Sequence, residues 1–406
     1  MSNINQEPGG NIFALSPVIY NLYNANYTET NFQYILKVYI WSGDMSTPPG
    51  TETYTLRKYP NQHGAAAFDI GGLVRSQLSL QPYNTINTFT TDTIDAVNET
   101  RWVKVIGTYS SDGPSSPTST GSNTRLALKG HTLHTEGVNG DNDNRSVLDL
   151  LTPLRYGNGA RTTFSCLTGT IKSVAVVTDN FEVTIDLSAK TATESTEALV
   201  HVACGSDMFG EGGWGYIRKQ WTNDGATIER ESCQKDELNT EGTYTLSFKD
   251  VGGTALFTYT GTNECTGRYQ TGSIGYLNRH GGVSYLPAHM AVKEGGRIER
   301  TTYQNKTGTL AQTGVSYDTS APVYKVFNGS ARRTLTFNTG FQPEAIKDMV
   351  EEMLMSECVW YFDGTTTTPL ISTDNSPSYF REVDDRTINY TLNFDVAADR
   401  MNAVTI

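Results

Sequence analysis

His131 and His134 are the first residues of this chain whose type and spacing suggest chemistry. They lie three positions apart in a polar stretch, and a histidine pair binds zinc when the chain supplies further ligands. A third ligand at motif spacing is missing. We therefore expect no metal here and no cofactor elsewhere in the chain.

The run Gly-Asp-Asn-Asp-Asn at 140–144 offers alternating oxygen side chains, as calcium loops do. An EF-hand loop that began at Asp141 would need glycine at its sixth position and glutamate at its twelfth. This chain has Ser146 and Thr152 at those positions. The run therefore indicates a solvated turn rather than a metal site.

Two pairs of adjacent carboxylates, Glu351 with Glu352 and Asp384 with Asp385, resemble the acidic residues that a glycosidase uses. Adjacent carboxylates on one exposed face usually only meet water. The chain also contains no Gly-x-Ser-x-Gly and no His-Glu-x-x-His motif. These observations predict that the protein is not an enzyme, and a virion glycosidase is the least favoured interpretation.

A glycine-rich run at 209–216 places aromatic side chains close together in the sequence. It lacks the Lys-Ser/Thr ending of a phosphate loop, so we expect no nucleotide there. Its glycines let Trp214 and Tyr216, with the nearby Trp221, present their ring faces. These three residues are candidates for core packing, for contact with a neighbouring subunit, or for stacking on a sugar.

The composition favours a multidomain protein with an acidic surface. The 406 residues exceed the size of a single core, and the net charge of -12 argues against direct, sequence-specific binding of nucleic acid. The five cysteines form no Cys-x-x-Cys motif, and the first residues do not resemble a signal peptide. No apolar run is long enough to span a membrane. We expect synthesis in a reducing cytoplasm.

Short alternating segments separated by turn residues predict strands through most of the chain, so the expected fold class is mainly β. The clearest lie at 32–40, 51–59, 101–109, 161–167, 173–177, 181–187, 198–203, 243–249, 255–259, 333–338, 359–362 and 387–396. Residues 110–123 are rich in Ser, Pro, Gly and Thr and predict a mobile loop or a linker. We expect an immunoglobulin-like β-sandwich at 11–124, a central β domain at 125–306 and a small α+β domain at 307–406.

One amphipathic helix is predicted at 343–356. Pro343 suits its first turn, and its apolar residues recur at the spacing that places them on one face. That face consists of Ile346, Met349, Val350, Met353 and Leu354. Because the strand at 387–396 has an apolar residue at every second position, we expect the helix to cover the sheet that contains this strand.

Three segments, taken in order along the chain, carry a resemblance to a known class of proteins. They are Tyr-Pro-Asn-Gln-His-Gly at 59–64 leading into 68–74, then Gly-Tyr-Leu-Asn-Arg-His-Gly-Gly at 275–282, and the ending in which the helix leads through 358–362 to 391–397. Together they resemble structural proteins of tailed-bacteriophage virions, especially tail and neck-ring components of crAss-like phages and of phages with marine or Bacteroidetes hosts. The resemblance implies immunoglobulin-like modules and a symmetric ring or baseplate that joins other tail or portal-proximal proteins.

Two functions therefore stay open. The favoured one is a non-enzymatic structural subunit of a phage tail, neck ring or baseplate, assembled as a homo-oligomer in the cytoplasm of the bacterial host and located in the virion. The alternative is a carbohydrate-binding, host-recognition protein on the virion surface, in which Trp214, Tyr216 and Trp221 stack on sugars.

Overall fold

The computed structural model of the protein describes most of the chain. The described residues are 3–79, 93–95, 100–139, 147–148, 155–157, 161–167, 170–178, 182–187, 199–205, 221–223, 226–228, 242–264, 272–288, 292–306, 308–362, 367–373, 378–382 and 387–399. They form many strands and two α-helices, which confirms the expected mainly β fold with several sheets. Within these residues, no helix is both long and apolar enough to cross a membrane.

The first half of the chain contains α1 (Gly71–Arg75) and the first fifteen strands. These strands are β1 (Asn3–Gln6), β2 (Ile12–Phe13), β3 (Ile19–Tyr23), β4 (Gln33–Trp41), β5 (Tyr54–Lys58), β6 (Ala65–Asp69), β7 (Thr93–Asp95), β8 (Thr100–Ser110), β9 (Thr120–Gly121), β10 (Arg125–Leu128), β11 (Arg155–Gly157), β12 (Arg161–Leu167), β13 (Ser173–Thr178), β14 (Glu182–Asp186) and β15 (Leu199–Gly205).

The second half contains the remaining strands and α2 (Ile346–Met355). The strands are β16 (Trp221–Asn223), β17 (Ala226–Ile228), β18 (Gly242–Lys249), β19 (Ala255–Glu264), β20 (Gly272–Leu277), β21 (Val283–Ala288), β22 (Lys293–Gln304), β23 (Gly308–Ala311), β24 (Gly314–Tyr317), β25 (Tyr324–Asn338), β26 (Gln342–Pro343), β27 (Val359–Phe362), β28 (Thr367–Ser372), β29 (Ser378–Glu382) and β30 (Thr387–Asp399).

Two sheets share a buried core near the start of the chain. One has the strand order β1-β3-β6, and the other has the order β2-β10-β8-β4-β5 with β9 paired to β8. Alternate residues of β4 are buried, as the alternating sequence at 32–40 predicted. The core between the sheets includes Tyr20, Leu22, Tyr34, Leu36, Val38, Phe68, Val103 and Val105. This core fixes the register of both sheets.

The polar segment at 110–123 is a loop within one sheet rather than a linker between units. The Ser111 hydroxyl donates to the Glu29 carboxylate at 2.6 Å, and the Asn26 amide donates to the Ser115 hydroxyl at 2.9 Å. Both β9, inside this segment, and β10, directly after it, pair with β8. The composition alone did not reveal these hydrogen bonds to the neighbouring turn.

Three further sheets are built from the middle of the chain. Their strand orders are β11-β19-β18-β13-β14, β12-β15-β7 and β16-β17. Strand β12 has the bounds that the sequence predicted, and β13, β14, β15, β18 and β19 lie at or close to the predicted positions. The apolar face of β18 contributes Leu246 and Phe248 to a large core that also contains the helix α2.

The largest sheet is nine-stranded, with the order β21-β20-β27-β28-β30-β25-β22 and with β26 and β29 paired to β30. The predicted apolar face of β30 is buried, and the core that it joins includes the apolar face of α2, as expected. The sheet takes strands from both sides of residue 306. The division of the chain at 124 and 306 stays a prediction.

Helix α2 begins later than the sequence predicted. It runs from Ile346 to Met355, whereas Gln342 and Pro343 form β26 and pair with Ile388 and Thr387 of β30. Proline suits the first turn of a helix, but it is also tolerated where a sheet leaves its N–H side unpaired. Here Gln342 is buried and pairs with β30, so the segment belongs to the sheet rather than to the helix.

Candidate functional site

Strands β22 and β25 form a two-stranded ribbon that extends beyond the nine-stranded sheet. Their ladder runs from Lys293 opposite Thr336 to Gln304 opposite Tyr324. The other neighbour of β25 is β30, which pairs with it only from Arg332 onward. Residues 298–304 of β22 and residues 324–331 of β25 therefore pair only with each other among the described strands. We call residues 298–331 the arm, and its ribbon is about 20 Å long at the usual rise per residue.

Local hydrogen bonds shape the end of the arm. The Asn305 N–H donates to the Val323 carbonyl at 2.7 Å, and beyond them β23 and β24 form a separate hairpin. The Asp318 carboxylate accepts bonds from the Ser320 N–H at 2.9 Å and the Ser320 hydroxyl at 2.6 Å. These bonds hold the pKa of Asp318 below its ordinary value.

The arm exposes many large apolar side chains. Every residue of β22 is exposed, as are the first five residues of β25. Phe327 has 76% of its surface exposed and Tyr324 has 68%. The exposed set consists of Ile298, Tyr303, Val315, Tyr317, Val323, Tyr324, Val326 and Phe327. These are eight of the eighteen large apolar residues that are exposed among the described residues, and they lie within thirty positions of the sequence.

Apolar side chains lie on both faces of the ribbon. Opposite residues of an antiparallel pair share a face, so the register places Ile298, Tyr324 and Val326 on one side. On the other side, the rings of Tyr303 and Phe327 meet edge to face with centroids 6.3 Å apart. A two-stranded ribbon without a covering layer is only marginally stable in water. The arm therefore has no core of its own among the described residues, and both of its faces expose apolar side chains.

The arm and its base are basic in an otherwise acidic chain. Residues 293–333 contain seven Lys and Arg against three Asp and Glu, a net charge of +4, whereas the whole chain carries -12 and the remainder therefore -16. At the base, Arg333 is paired with Glu294, and Arg297 contacts Glu299 at 3.1 Å. Farther out, Arg300, Lys306 and Lys325 form no ion pair with another described residue. Exposed cations beside exposed aromatic rings suit an acidic protein surface.

The turn between β20 and β21 connects the first pair of sheets to the sheet that carries the arm. The Asn278 side chain donates to the Leu148 carbonyl at 2.7 Å and to the Ser284 hydroxyl at 2.9 Å. Its amide oxygen accepts from the N–H groups of His280 at 3.1 Å and Gly282 at 2.9 Å. One side chain thus closes the turn and fixes its neighbours.

Two glycines allow the backbones to approach closely at this turn. Gly281 has a φ of 82°, a conformation that side chains other than glycine rarely adopt. A Cβ atom on Gly130 would lie 2.3 Å from the Arg279 carbonyl oxygen. The His131 N–H donates to that same oxygen at 2.7 Å. The segment at 275–282, which carries part of the phage resemblance, is therefore a structural junction.

Arg279 links this junction to α2. Its guanidinium contacts the Glu136 carboxylate at 2.9 Å and the Glu352 carboxylate at 3.3 Å, and Glu352 is buried. Burial, and then the Arg279 charge, lower the pKa of His131, while the Glu136 charge opposes this shift. Because ion pairs with little solvent access are costly to break, Arg279 ties the junction firmly to α2.

The structure separates the residues that suggested chemistry. Glu352 is buried beside Arg279, whereas Glu351 is exposed and contacts Lys347 at 3.7 Å, so the two glutamates do not share one exposed face. His131 lies in the junction, and His134 begins a short 3-10 turn. Within the described residues, no group of three or more His, Cys, Asp or Glu could hold a metal ion.

Several candidate residues lie outside what the structure describes. Trp214 and Tyr216 are outside the described residues, as are Asp384, Asp385 and the acidic run at 140–144. Trp221 begins β16, which pairs with β17. The roles of Trp214, Tyr216 and Trp221 as interface or sugar contacts stay predictions.

The sequence reasoning did not identify the arm. Strand prediction depends on alternating burial, and β22, with the sequence Lys-Glu-Gly-Gly-Arg-Ile-Glu-Arg-Thr-Thr-Tyr-Gln, has no buried face. Two signals were present in the sequence. Positive charge is concentrated at 293–333 in an acidic chain. Four large apolar residues also crowd into 323–327, next to the turn at 318–321. Both signals describe a surface rather than a core.

Comparison of the chain with known proteins identified no relative. No protein family matches the chain, and no curated protein matches its sequence.

Proposed function

We propose that this chain is a non-enzymatic structural subunit of a phage virion, located in a tail, neck ring or baseplate and assembled in the cytoplasm of the bacterial host. The observation that carries the proposal is the arm. It extends from one edge of the nine-stranded sheet, has no core of its own among the described residues and exposes apolar residues on both faces. A β-ribbon of this kind is a means of joining subunits rather than a site for chemistry.

The energetics favour an assembly role for the arm. Each large apolar side chain that becomes buried contributes roughly 1.5–3 kcal/mol, and association of two proteins costs about 4–15 kcal/mol. Burial of four of the eight exposed side chains would contribute roughly 6–12 kcal/mol, which lies within the range of this cost. Monomeric proteins rarely expose apolar residues in such a dense group, because it promotes non-specific association.

Two further observations support the virion assignment in particular. The three segments that resemble phage tail and neck-ring proteins are spread over the whole chain. The paired sheets β1-β3-β6 and β2-β10-β8-β4-β5 share one buried core, and we infer that they form the immunoglobulin-like module that the resemblance implies.

Mass spectrometry of intact phage particles, together with mass photometry of the purified chain, tests the proposal. We expect the chain in purified particles at a fixed stoichiometry and a discrete oligomer in solution. A chain that is absent from particles and remains monomeric at high concentration would contradict the proposal.

A further inference from the structure

The geometry points to a second copy of this chain as the partner of the arm, with the arm of one copy lying on the outer face of α2 of the next. This inference rests on the proposed assembly function. It goes further by naming the two surfaces that meet, and by specifying a head-to-tail contact.

The outer face of α2 has the charge that the arm requires. Asp348, Glu351 and Met355 recur at three- and four-residue spacing, so they share the face of α2 opposite its buried residues, and Glu344 lies in the turn just before the helix. All four are exposed, and Met355 has 59% of its surface exposed. These residues form an acidic stripe that ends in the apolar side chain of Met355. The stripe is complementary to the arm, which exposes cations beside aromatic rings.

The distribution of charge along the chain favours this end of the molecule. Residues 334–406 contain twelve Asp and Glu against four Lys and Arg, a net charge of -8. Residues 1–139 contain ten Asp and Glu against eight Lys and Arg, so their net charge is only -2. The basic residues of the arm are therefore attracted more strongly to residues 334–406 of a neighbouring copy than to its residues 1–139.

Several acidic residues of the first sheets have partners in their own chain. Glu52 contacts Lys37 at 3.3 Å, and Glu29 accepts a hydrogen bond from Ser111 at 2.6 Å. Asp112 accepts a bond from the Asn31 amide at 2.6 Å. A basic arm would have to compete with these contacts. On α2, Glu351 contacts Lys347 at 3.7 Å, but Asp348 beside it forms no ion pair with another described residue.

Contact between two arms is disfavoured because both carry the same charge. The charges of the arm that form no ion pair or hydrogen bond with another described residue, Arg300, Lys306 and Lys325, are all positive, and like charges at an interface are repulsive. When two different surfaces of identical subunits meet, the contact is heterologous and produces a closed ring or an open filament. The charge pattern therefore favours the head-to-tail contact over a twofold dimer of arms.

Charge reversal on each surface tests the inference. The arm variant combines Arg300→Glu with Lys325→Glu, and the helix variant combines Asp348→Lys with Glu351→Lys. We expect each variant alone to self-associate at least tenfold more weakly than the natural chain in sedimentation velocity. An equimolar mixture should recover the assembly, because each reversed surface then meets its complement.

A matched control reverses two charges that lie on neither the arm nor α2. Arg57→Glu with Lys104→Glu alters the net charge as much as the arm variant does, but lies in the first sheets, so self-association should be unchanged. Unchanged thermal melting of every variant would show that the fold is intact.

The outcomes separate this inference from the proposed function. If the mixture stays dissociated, or if the helix variant associates normally, the arm does not bind α2, while assembly of the natural chain stands. If the natural chain is monomeric at every concentration, the second copy is not the partner, and mass spectrometry of particles still decides the virion assignment independently.

Discussion

The β4–β8 ladder and the β22–β25 ribbon are both long antiparallel pairs, but their side chains have opposite surroundings. In β4, alternate residues are buried beneath a second sheet, and β5 and β8 pair with it on either side. In β22, all twelve residues are exposed, and β25 is the only described neighbour. Hydrogen-bonded pairing is common to both, so pairing alone does not indicate what stabilises a strand. The first ladder is stabilised by a core of its own chain, whereas the described residues provide no such core for the second.

Truncation of one core residue should have the largest effect and tests this contrast directly. Leu36 of β4 is fully buried, so Leu36→Ala should lower the free energy of unfolding by about 2–5 kcal/mol. The same loss of apolar side chain in the arm, Val326→Ala, should change it by less than about 0.5 kcal/mol. Urea denaturation of dilute protein measures both, and equal losses would remove the distinction between the regions.

Breaking the junction should have the next largest effect. Arg279→Ala leaves the buried Glu352 without its ion-pair partner and should cost about 3 kcal/mol of stability. The matched control is Arg75→Ala, since Arg75 pairs with Glu357 on a much more exposed surface and its loss should cost less than about 1 kcal/mol. Thermal melting of both variants would show whether the stability of the junction depends on Arg279.

Truncation of the most exposed aromatic residue should weaken assembly rather than folding. We expect Phe327→Ala to weaken self-association by about 2 kcal/mol, roughly thirtyfold, because aromatic residues dominate interface energetics. Its melting temperature as a dilute monomer should be unchanged. Tyr59→Ala serves as the control, because Tyr59 is another exposed aromatic residue but lies directly after β5, away from the arm. Equal weakening by both variants would contradict an assembly surface confined to the arm.

The smallest expected effect is a pH dependence of the junction. The pKa of His131 is lower in the folded protein than in the unfolded chain, so the unfolded chain binds the proton more readily. Stability should therefore decrease as the pH falls through about 6.5 and level off below the folded pKa. His131→Gln should reduce this decrease in urea titrations between pH 7.5 and pH 5.5. An unaltered pH profile would show that other groups cause the effect.

Sequence reasoning succeeded where burial imposes a period. The strands β12 and β27, the apolar face of β30 and the packing face of α2 were all predicted from alternating or helical spacing. It was wrong about the start of α2, because the pairing of Gln342 with Ile388 is a long-range contact that local propensity does not encode. It did not identify β22, because the arm buries nothing in its own chain. The junction likewise depends on residues that are far apart in sequence.

Hydrogen–deuterium exchange of the arm, measured in the dilute monomer and in the assembled state, tests the central claim most directly. The account predicts that amides at 300–304 and 324–328 exchange rapidly in the monomer and become protected on assembly, while those of β4 and β8 are protected in both states. Rapid exchange in the arm of the assembled protein, or equal protection of the arm in the monomer, would contradict the claim that the arm is stabilised by a partner.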